Sequence, residues 1–277
     1  MPFTISHVAA VLPGHRILRR YGLLSAAIIG SMVPDFGFLF PWPLERSQTH
    51  GAMALLKFCL PVGLTAWALF QLFIKPAWGA VLPGRWRWRL RAEHPTAPLG
   101  RWQTWAAAAL IILLGAITHL IWDGFTHEDG RGVRLLSILD DYGPDIHGHS
   151  MRIYRLLQHG STLVGLSVVL AAAWIWAEGG EAGRRVAAAS QDGAELSALE
   201  RHAWLAAYLL VPAALLAVAF ALGLHHPNPW MSALQAVTRL AYLAMSSLYA
   251  SALLVSMAIC LRLRQLRPHA VRASDSA

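Results

Sequence analysis

The chain has 277 residues, of which 56% are hydrophobic and only 14% charged, and its formal net charge is +8. Soluble domains carry about 25% charged residues, so the composition excludes an ordinary soluble protein. The positive charge does not indicate a nucleic-acid partner, because the sequence contains no basic, aromatic-interleaved soluble module that could bind one. Arginine-rich cytoplasmic loops of a membrane protein account for the charge instead.

Long apolar runs dominate the sequence and predict membrane-spanning helices, since one span needs roughly 20 apolar residues. About six such runs occur, which predicts an all-α polytopic membrane helical bundle. The predicted spans are residues 22–40, 52–74, 104–122, 161–176, 203–224 and 240–261. Pro34 and Asp35 interrupt the first span, and a broken helix at membrane depth requires burial in protein or a wet cavity.

The six runs predict one membrane-embedded domain over residues 1–277. The candidate functional residues fall in the part from 1 to 176. Residues 177–202 are polar and rich in alanine and glycine, which favours a cytoplasmic linker, and residues 203–265 form two additional spans. We expect contacts with membrane lipids along the apolar helices.

Arginines indicate the orientation of the chain in the membrane. They concentrate at positions 16–20, 85–101, 184–201 and 262–272. With six spans, these four regions lie on one side, and the positive-inside rule makes that side cytoplasmic. Both termini are therefore predicted to be cytoplasmic.

His119 and Asp123 form the most informative pair of ionisable residues in the apolar runs. Their spacing of four places both side chains on one face of a helix, one turn apart. The pair could bind one cation, or it could form a simple His–Asp hydrogen bond. Ionisable residues in membrane segments are costly and usually functional, which favours a site.

With this topology, Asp35, His50 and the His119–Asp123 pair lie at similar depth near the outer membrane face. Asp35 is predicted to be a metal ligand or a partner to a histidine, and His50 to be a ligand. Arg46 could clamp an anionic substrate in a bidentate way, or it could contact a lipid headgroup. Both interpretations of Arg46 stay open.

Simple topology places His7 on the cytoplasmic side, away from the other ionisable residues. His7 can join them only if residues 3–13 fold back into the bundle, or if the first run is not a true span. The acidic, His-rich segment after the third span adds further candidates near the pair. The nearby candidates are Thr126, His127, Asp129, Gln158 and His159.

Four motifs together resemble a bacterial membrane family described as domain of unknown function 4184. They are Met1-Pro-Phe-Thr-x-x-His, Gly30-Ser-x-x-Pro-Asp35, His119-x-x-Trp-Asp-x-Phe-Thr-His127 and Leu157-Gln-His-Gly-Ser161. The resemblance covers most of the chain and is clearest over residues 1–176. It implies the bacterial inner (cytoplasmic) membrane as the location.

More distantly, the pattern is similar to inner-membrane metal-dependent hydrolases of the YdjM type. Those proteins show an early His, a Pro-Asp, an Arg-x-x-Thr-His-Ser and a His-x-x-x-Asp. Here Arg46-Ser-Gln-Thr-His50 is followed by Gly51 in place of Ser, whereas His119-x-x-x-Asp123 fits in full. The resemblance implies a metal site more firmly than it implies a reaction.

The leading hypothesis is a metal-dependent hydrolase that acts on a lipid or phosphoester at the outer face of the membrane. His7, Asp35, His50, His119 and Asp123 would bind one or two divalent ions. Mixed imidazole and carboxylate ligands favour zinc first and manganese second. The candidates for catalytic roles are Asp123, Arg46, His127 and Asp129, and the supporting residues are Thr126, Gln158 and His159.

Two alternatives use the same residues differently. An ion- or metal-handling transporter would need polar groups through the whole bilayer, but the cytoplasmic halves of the spans are almost purely apolar. A structural membrane protein would use the cluster only for helix packing. Interhelical hydrogen bonds contribute about 0.6 kcal/mol each, which is little return for so many ionisable groups.

Overall fold

The structure is a computed structural model that describes residues 4–39, 44–83, 86–87, 89–90, 97–144, 150–178, 196–221 and 233–274. Within these ranges the chain is helical, with one isolated antiparallel bridge between Tyr142 and Arg152. The α-helices are α1 (His15–Arg20), α2 (Leu24–Met32), α3 (Arg46–His50), α4 (Leu55–Val81), α5 (Trp102–Thr126), α6 (Arg131–Leu135), α7 (Ile153–Glu178), α8 (Ala198–Ala221) and α9 (Ala233–Ser274). Two segments of α4, Leu55–Cys59 and Phe70–Ile74, are π-helical.

Five helices are long and apolar enough to cross a membrane: α4, α5, α7, α8 and the Leu243–Leu266 part of α9. Only 6% of the most apolar window of α7, and likewise of α8, is buried inside the protein. Large apolar faces exposed in this way mark contact with lipid or with another protein. The prediction of an all-α polytopic membrane protein is confirmed.

The bounds of the predicted spans differ from those of the helices, most for the first and the fourth span. The first apolar run forms only a short helix, α2, which ends at Met32 and continues as a 3₁₀ segment over Val33–Leu39. Pro34 lies in that segment, where its missing N–H and its ring disfavour a continued α-helix. The fourth span is longer than expected, since α7 begins at Ile153 and includes the polar residues Gln158 and His159.

The structure divides into two compact units, each described separately. The first comprises Met1–Gly37, Leu44–Trp67 and Pro95–Gly179; the second comprises Phe38–Pro43, Ala68–His94 and Gly180–Ala277. The linker and the C-terminal division expected at residues 177–202 stay a prediction, because residues 179–195 lie outside the described part.

Helices α2 and α5 cross very closely in the first unit. A Cβ atom added to Gly30 would lie 2.5 Å from the backbone oxygen of Ile112. One added to Gly115 would lie 2.7 Å from the backbone nitrogen of Ser31 and 2.8 Å from the backbone oxygen of Ala27. Small residues let helix backbones approach in this way inside membranes. The crossing brings the end of α2, and the segment after it, against the middle of α5.

The N-terminal segment of the described chain is a 3₁₀ helix over Thr4–Ala10, which contacts α2, α5 and α7. Ser6, His7 and Val8 are buried there. A Cβ atom at Gly165 of α7 would lie 2.8 Å from the backbone oxygen of Ser6, so this glycine permits the contact. Residues 4–10 therefore fold back into the bundle, the first of the two conditions under which His7 could join the other ionisable residues.

The second unit packs the last part of α4 against α8 and α9. Its buried core contains Ala77, Val81, Val255 and Ile259. The hydroxyl groups of Tyr208 and Ser256 form a hydrogen bond of 2.8 Å between α8 and α9.

Candidate metal centre

His119 and Asp123 lie on one face of α5, as their spacing predicts. The Nε2 atom of His119 is 3.6 Å from Oδ2 of Asp123, and both residues are buried. The helix continues to Thr126, so the pair lies one turn inside its end. A carboxylate and an imidazole buried together in this way need partners from other elements.

Asp35 and His50 supply those partners from two other elements of the first unit. Asp35 lies in the 3₁₀ segment after α2, and His50 is the last residue of α3. Nε2 of His50 is 3.3 Å from Oδ1 of Asp35 and 3.6 Å from Oδ2 of Asp123. Nε2 of His119 is 3.7 Å from Oδ1 of Asp35. Side chains from three separate segments of the chain therefore meet in one cluster.

His7 also belongs to the cluster, contrary to the placement that simple topology suggested. Its imidazole stacks on that of His119 with ring centroids 3.8 Å apart, and its Nε2 is 3.6 Å from Oδ1 of Asp123. Burial, and next the neighbouring imidazole of His119, lowers the pKa of His7 from 6.5 to about 4. His7 is therefore neutral at neutral pH, the form in which histidine binds metals.

Two of the histidines are oriented by hydrogen bonds from their other ring nitrogen. Nδ1 of His119 donates to the backbone oxygen of Ser31 over 2.8 Å. Nδ1 of His50 lies 2.7 Å from the Thr49 hydroxyl, which itself donates to the backbone oxygen of Arg46. With the proton on Nδ1, each ring presents the lone pair of Nε2 to the cluster, as in most metal-binding histidines.

Asp35 is held in place by the hydroxyl of Thr4, which donates to its Oδ2 over 2.8 Å. Sequence reasoning did not select Thr4, Ser31 or Thr49. All three stand inside motifs quoted above, and Thr49 also directly precedes His50. Adjacency to a candidate ligand was the available signal for Thr49, whereas Ser31 contributes only a backbone oxygen.

Several buried polar atoms of the cluster have no hydrogen-bond partner within the described residues. They are Nε2 of His7, His50 and His119, and Oδ1 of Asp123. Buried polar atoms are nearly always paired, so each such atom needs an explanation. The nitrogen–oxygen distances of 3.3–3.7 Å also agree with two ligand atoms on one tetrahedral ion, which lie about 3.4 Å apart for bonds of about 2.0–2.1 Å.

The ligand atoms fall into two overlapping groups that could each hold a metal ion. The first group is Asp35, His50 and His119, and the second is His7, His119 and Asp123. Within each group all the ligand atoms lie within 4.8 Å of one another. Mixed nitrogen and carboxylate donors of this kind fit a divalent cation.

Arg46 and Asp129 lie on the more exposed side of the cluster. The Arg46 guanidinium donates to Oδ2 of Asp123 over 2.9 Å, and its Nε is 3.7 Å from Oδ2 of Asp129. The exposed fractions of the two side chains are 33% and 65%. Arg46 thus connects a buried carboxylate of the cluster with one open to the surroundings.

His127 and its neighbours border the cluster at the end of α5. Nδ1 of His127 lies 3.3 Å from the backbone oxygen of Asp123, and its Nε2 accepts a hydrogen bond of 3.3 Å from the Gln158 amide. Burial lowers the pKa of His127, while the nearby Asp123 opposes that shift. Thr126 is buried and donates to the backbone oxygen of Trp122. His159, a predicted supporting residue, is exposed on α7.

Fold and site together define a polytopic α-helical membrane protein with a buried cluster of histidines and aspartates. Within this class, the chain belongs to the family described as Domain of unknown function (DUF4184), whose family model matches residues 1–257. No curated protein and no solved structure shows a significant match to the chain.

Proposed function

We propose that the protein is a membrane-bound, metal-dependent hydrolase whose metal centre is formed by Asp35, His50, His119 and Asp123, with His7 beside them. One observation carries this proposal: three imidazole Nε2 atoms and a carboxylate oxygen are buried together, and none of them has a hydrogen-bond partner among the residues that the structure describes. If the cluster served only to pack helices, its members would be expected to satisfy these atoms by hydrogen bonding with one another. The distant resemblance to metal-dependent hydrolases of the YdjM type supports the same conclusion.

Zinc is the cation that this donor set favours, followed by manganese. Three imidazoles and two carboxylates are softer than the all-oxygen shells that bind calcium or magnesium. The orientation of His50 and His119 through their Nδ1 atoms is the arrangement found around zinc-binding histidines. A bound divalent cation would activate a water molecule and polarise a phosphoryl or acyl oxygen.

The chain's own residues would supply the rest of the chemistry. Arg46 stands at the exposed side of the cluster, where its guanidinium can orient an anionic group through several N–H donors. Asp129 lies beside Arg46 and is open to the surroundings, so its carboxylate is positioned to accept a proton. His127 has both ring nitrogens engaged, and we assign it, with Gln158, to holding the end of α5 in place.

A lipid or lipid-linked phosphoester is the substrate class that this location favours. The arginines at positions 85–101 precede α5, and the positive-inside rule assigns them to the cytoplasmic side. The cluster lies toward the opposite end of α5. We therefore infer that it lies near the outer headgroups of the bacterial inner membrane. The prediction that both termini are cytoplasmic rested on six spans. The five helices of the described residues that are long enough to span a membrane would instead place the two ends of the chain on opposite sides, with the C-terminal end cytoplasmic.

Metal analysis of the purified full-length protein in detergent tests this function directly. We expect bound zinc or manganese, and loss of most of it in His119→Ala and in Asp123→Ala. His202→Ala and Asp141→Ala are matched controls, because both side chains are exposed. Hydrolysis of chromogenic phosphoesters and of phospholipid vesicles, with and without a chelator, then tests the reaction.

Unchanged metal content in both cluster variants would refute the proposed metal centre and, with it, the proposed function. Bound metal without chelator-sensitive hydrolysis of any ester would leave a metal-binding membrane protein. That second outcome would favour the alternative of an ion- or metal-handling protein.

A further inference from the structure

The stacking of the His7 and His119 rings limits how many ligands the two residues can offer to one metal ion. Their planes are inclined by only 19°, with centroids 3.8 Å apart. The lone pair of an imidazole nitrogen lies in the plane of its ring. Because the two ring planes are nearly parallel, they intersect far from either ring. That distance is much greater than the length of a metal–nitrogen bond, which is about 2.0–2.1 Å. His7 and His119 therefore cannot both direct their Nε2 lone pairs at the same ion. The ligand atoms of His7, His119 and Asp123 are close enough together to hold a metal ion, but the ring planes divide this group between two ions.

The carboxylate of Asp123 divides the cluster in the same way. Its Oδ2 atom faces Nε2 of His119 and of His50, each at 3.6 Å, whereas its Oδ1 atom faces Nε2 of His7 at 3.6 Å and Nδ1 of His127 at 3.5 Å. Oδ1 has no hydrogen-bond partner within the described residues, and neither has Nε2 of His7. A carboxylate with one oxygen toward each of two nitrogen ligands has the geometry of a bridge between two ions.

We propose that the centre holds two divalent cations bridged by Asp123, an inference that rests on the proposed function. The first position lies among His50, His119, Asp35 and Oδ2 of Asp123. The second lies between Nε2 of His7 and Oδ1 of Asp123. The stacking distance of 3.8 Å agrees with the separation of about 3.5–4 Å between the ions of two-metal hydrolytic sites.

The two positions differ in their expected affinity for a metal ion. The first has four protein ligands, and both of its histidines are oriented through Nδ1. The second has one imidazole and one carboxylate oxygen, and Nδ1 of His7 has no hydrogen-bond partner within the described part of the chain. Histidines that lack such a partner bind metal less tightly. The second ion is therefore the weaker one and keeps more of its coordination open to water and substrate.

Two ions also narrow the substrate class. The two carboxylates Asp35 and Asp123 do not neutralise two divalent cations, so the loaded centre carries excess positive charge, to which Arg46 adds. Two-metal sites stabilise both the attacking and the leaving oxygen of an in-line displacement at phosphorus. The centre thus favours a phosphoester over a carboxylic ester as substrate.

Titration of the metal-free protein in detergent with Mn²⁺ tests the ion count without an activity assay. We expect about two ions per chain in the native protein, the second released first on dialysis. Electron paramagnetic resonance should show magnetically coupled Mn²⁺ at full loading. His7→Ala and His7→Gln should bind about one ion with an uncoupled spectrum. His202→Ala, at an exposed histidine of α8 outside the cluster, should match the native protein.

A native protein that saturates with one uncoupled ion would overturn the second position and leave the proposed function standing. Two coupled ions retained in both His7 variants would equally overturn it. Complete absence of metal binding would instead refute the proposed function itself. If neither His7 variant folds, the stoichiometry and the spectrum of the native protein decide.

Discussion

Nδ1 of His119 lies 2.8 Å from the backbone oxygen of Ser31, which couples a ligand of the proposed metal centre to the backbone of a neighbouring helix. Ser31 follows Gly30, and both belong to the part of α2 that crosses α5 at Gly115. The close crossing therefore does more than bury apolar surface, because it sets the tautomer and the direction of the His119 ring. A substitution at the crossing should therefore alter metal binding even though it replaces no ligand.

Gly115→Ala tests this coupling. The added methyl group would lie 2.7–2.9 Å from backbone atoms of α2, so the helices must separate. We expect the free energy of unfolding to fall by about 1–3 kcal/mol and metal affinity to fall with it. Thermal unfolding and metal titration in the same detergent measure both effects.

Gly124→Ala is the matched control on the same helix, because the nearest atom to its new Cβ is the backbone nitrogen of Gly132 at 3.8 Å. Alanine is about 1 kcal/mol more favourable than glycine in a helix, so stability should be unchanged or slightly raised. Equal metal affinity in Gly115→Ala and Gly124→Ala would show that the crossing does not orient the ligand.

The geometry of α5 could be predicted from the sequence because it is local. Four residues separate His119 from Asp123, and any helix places them on one face. Asp35 and His50 required one more step, the assignment of similar membrane depths to different apolar runs. The residues do lie close together, even though the first run is shorter than a full span, since α2 and α5 meet through small residues. Their depth in the membrane stays a prediction.

The position of His7 could not be predicted in the same way. It depends on a 3₁₀ segment that folds back against α7, a contact made possible by the absence of a side chain at Gly165. A hydropathy pattern counts crossings and has no means of representing a segment that folds back. The roles of Thr4 and Thr49 were missed for a similar reason, because one hydroxyl in the chain differs from another only by its neighbours in space.

Thr49→Val should weaken metal binding while leaving the fold intact. Valine keeps the shape of the buried side chain but cannot accept the proton of His50 Nδ1. The ring is then free to adopt the other tautomer, and the loss of such a partner costs about 10–100-fold in metal affinity. Thr65→Val, at an exposed hydroxyl that donates to the backbone oxygen of Pro61, is the control. Native affinity in Thr49→Val would contradict this role.

Arg46→Ala should lower turnover much more than metal content. The guanidinium touches Asp123 but is not itself a metal ligand, so the ions should remain bound. Loss of one preorganised donor to a developing negative charge costs about 100-fold in turnover. Arg46→Lys keeps the positive charge but lacks the planar guanidinium, so its turnover should lie between those of the native protein and Arg46→Ala.

Arg131→Ala is the control for Arg46, because Arg131 is exposed on α6. Steady-state kinetics on a phosphoester, together with metal analysis of the same samples, separates the two roles. Parallel loss of metal and turnover in Arg46→Ala would make Arg46 a structural partner of Asp123, with no direct role toward substrate.

Gly165→Ala should displace the N-terminal segment from α7 and so remove His7 from the centre. The added Cβ would lie 2.8 Å from the backbone oxygen of Ser6 and 2.9 Å from its Cβ atom, whereas a Cβ at Gly160 on the same helix would meet nothing within 4 Å. We therefore expect faster proteolysis of residues 4–10 in Gly165→Ala than in Gly160→Ala, together with selective loss of the weaker ion. No ligand of the first position comes from that segment, so the first position should keep its ion, with a lower affinity because Asp35 loses its hydrogen bond from Thr4. Loss of both ions would indicate that the segment supports the whole centre, and equal proteolysis of the two variants would show that the segment docks without the help of Gly165.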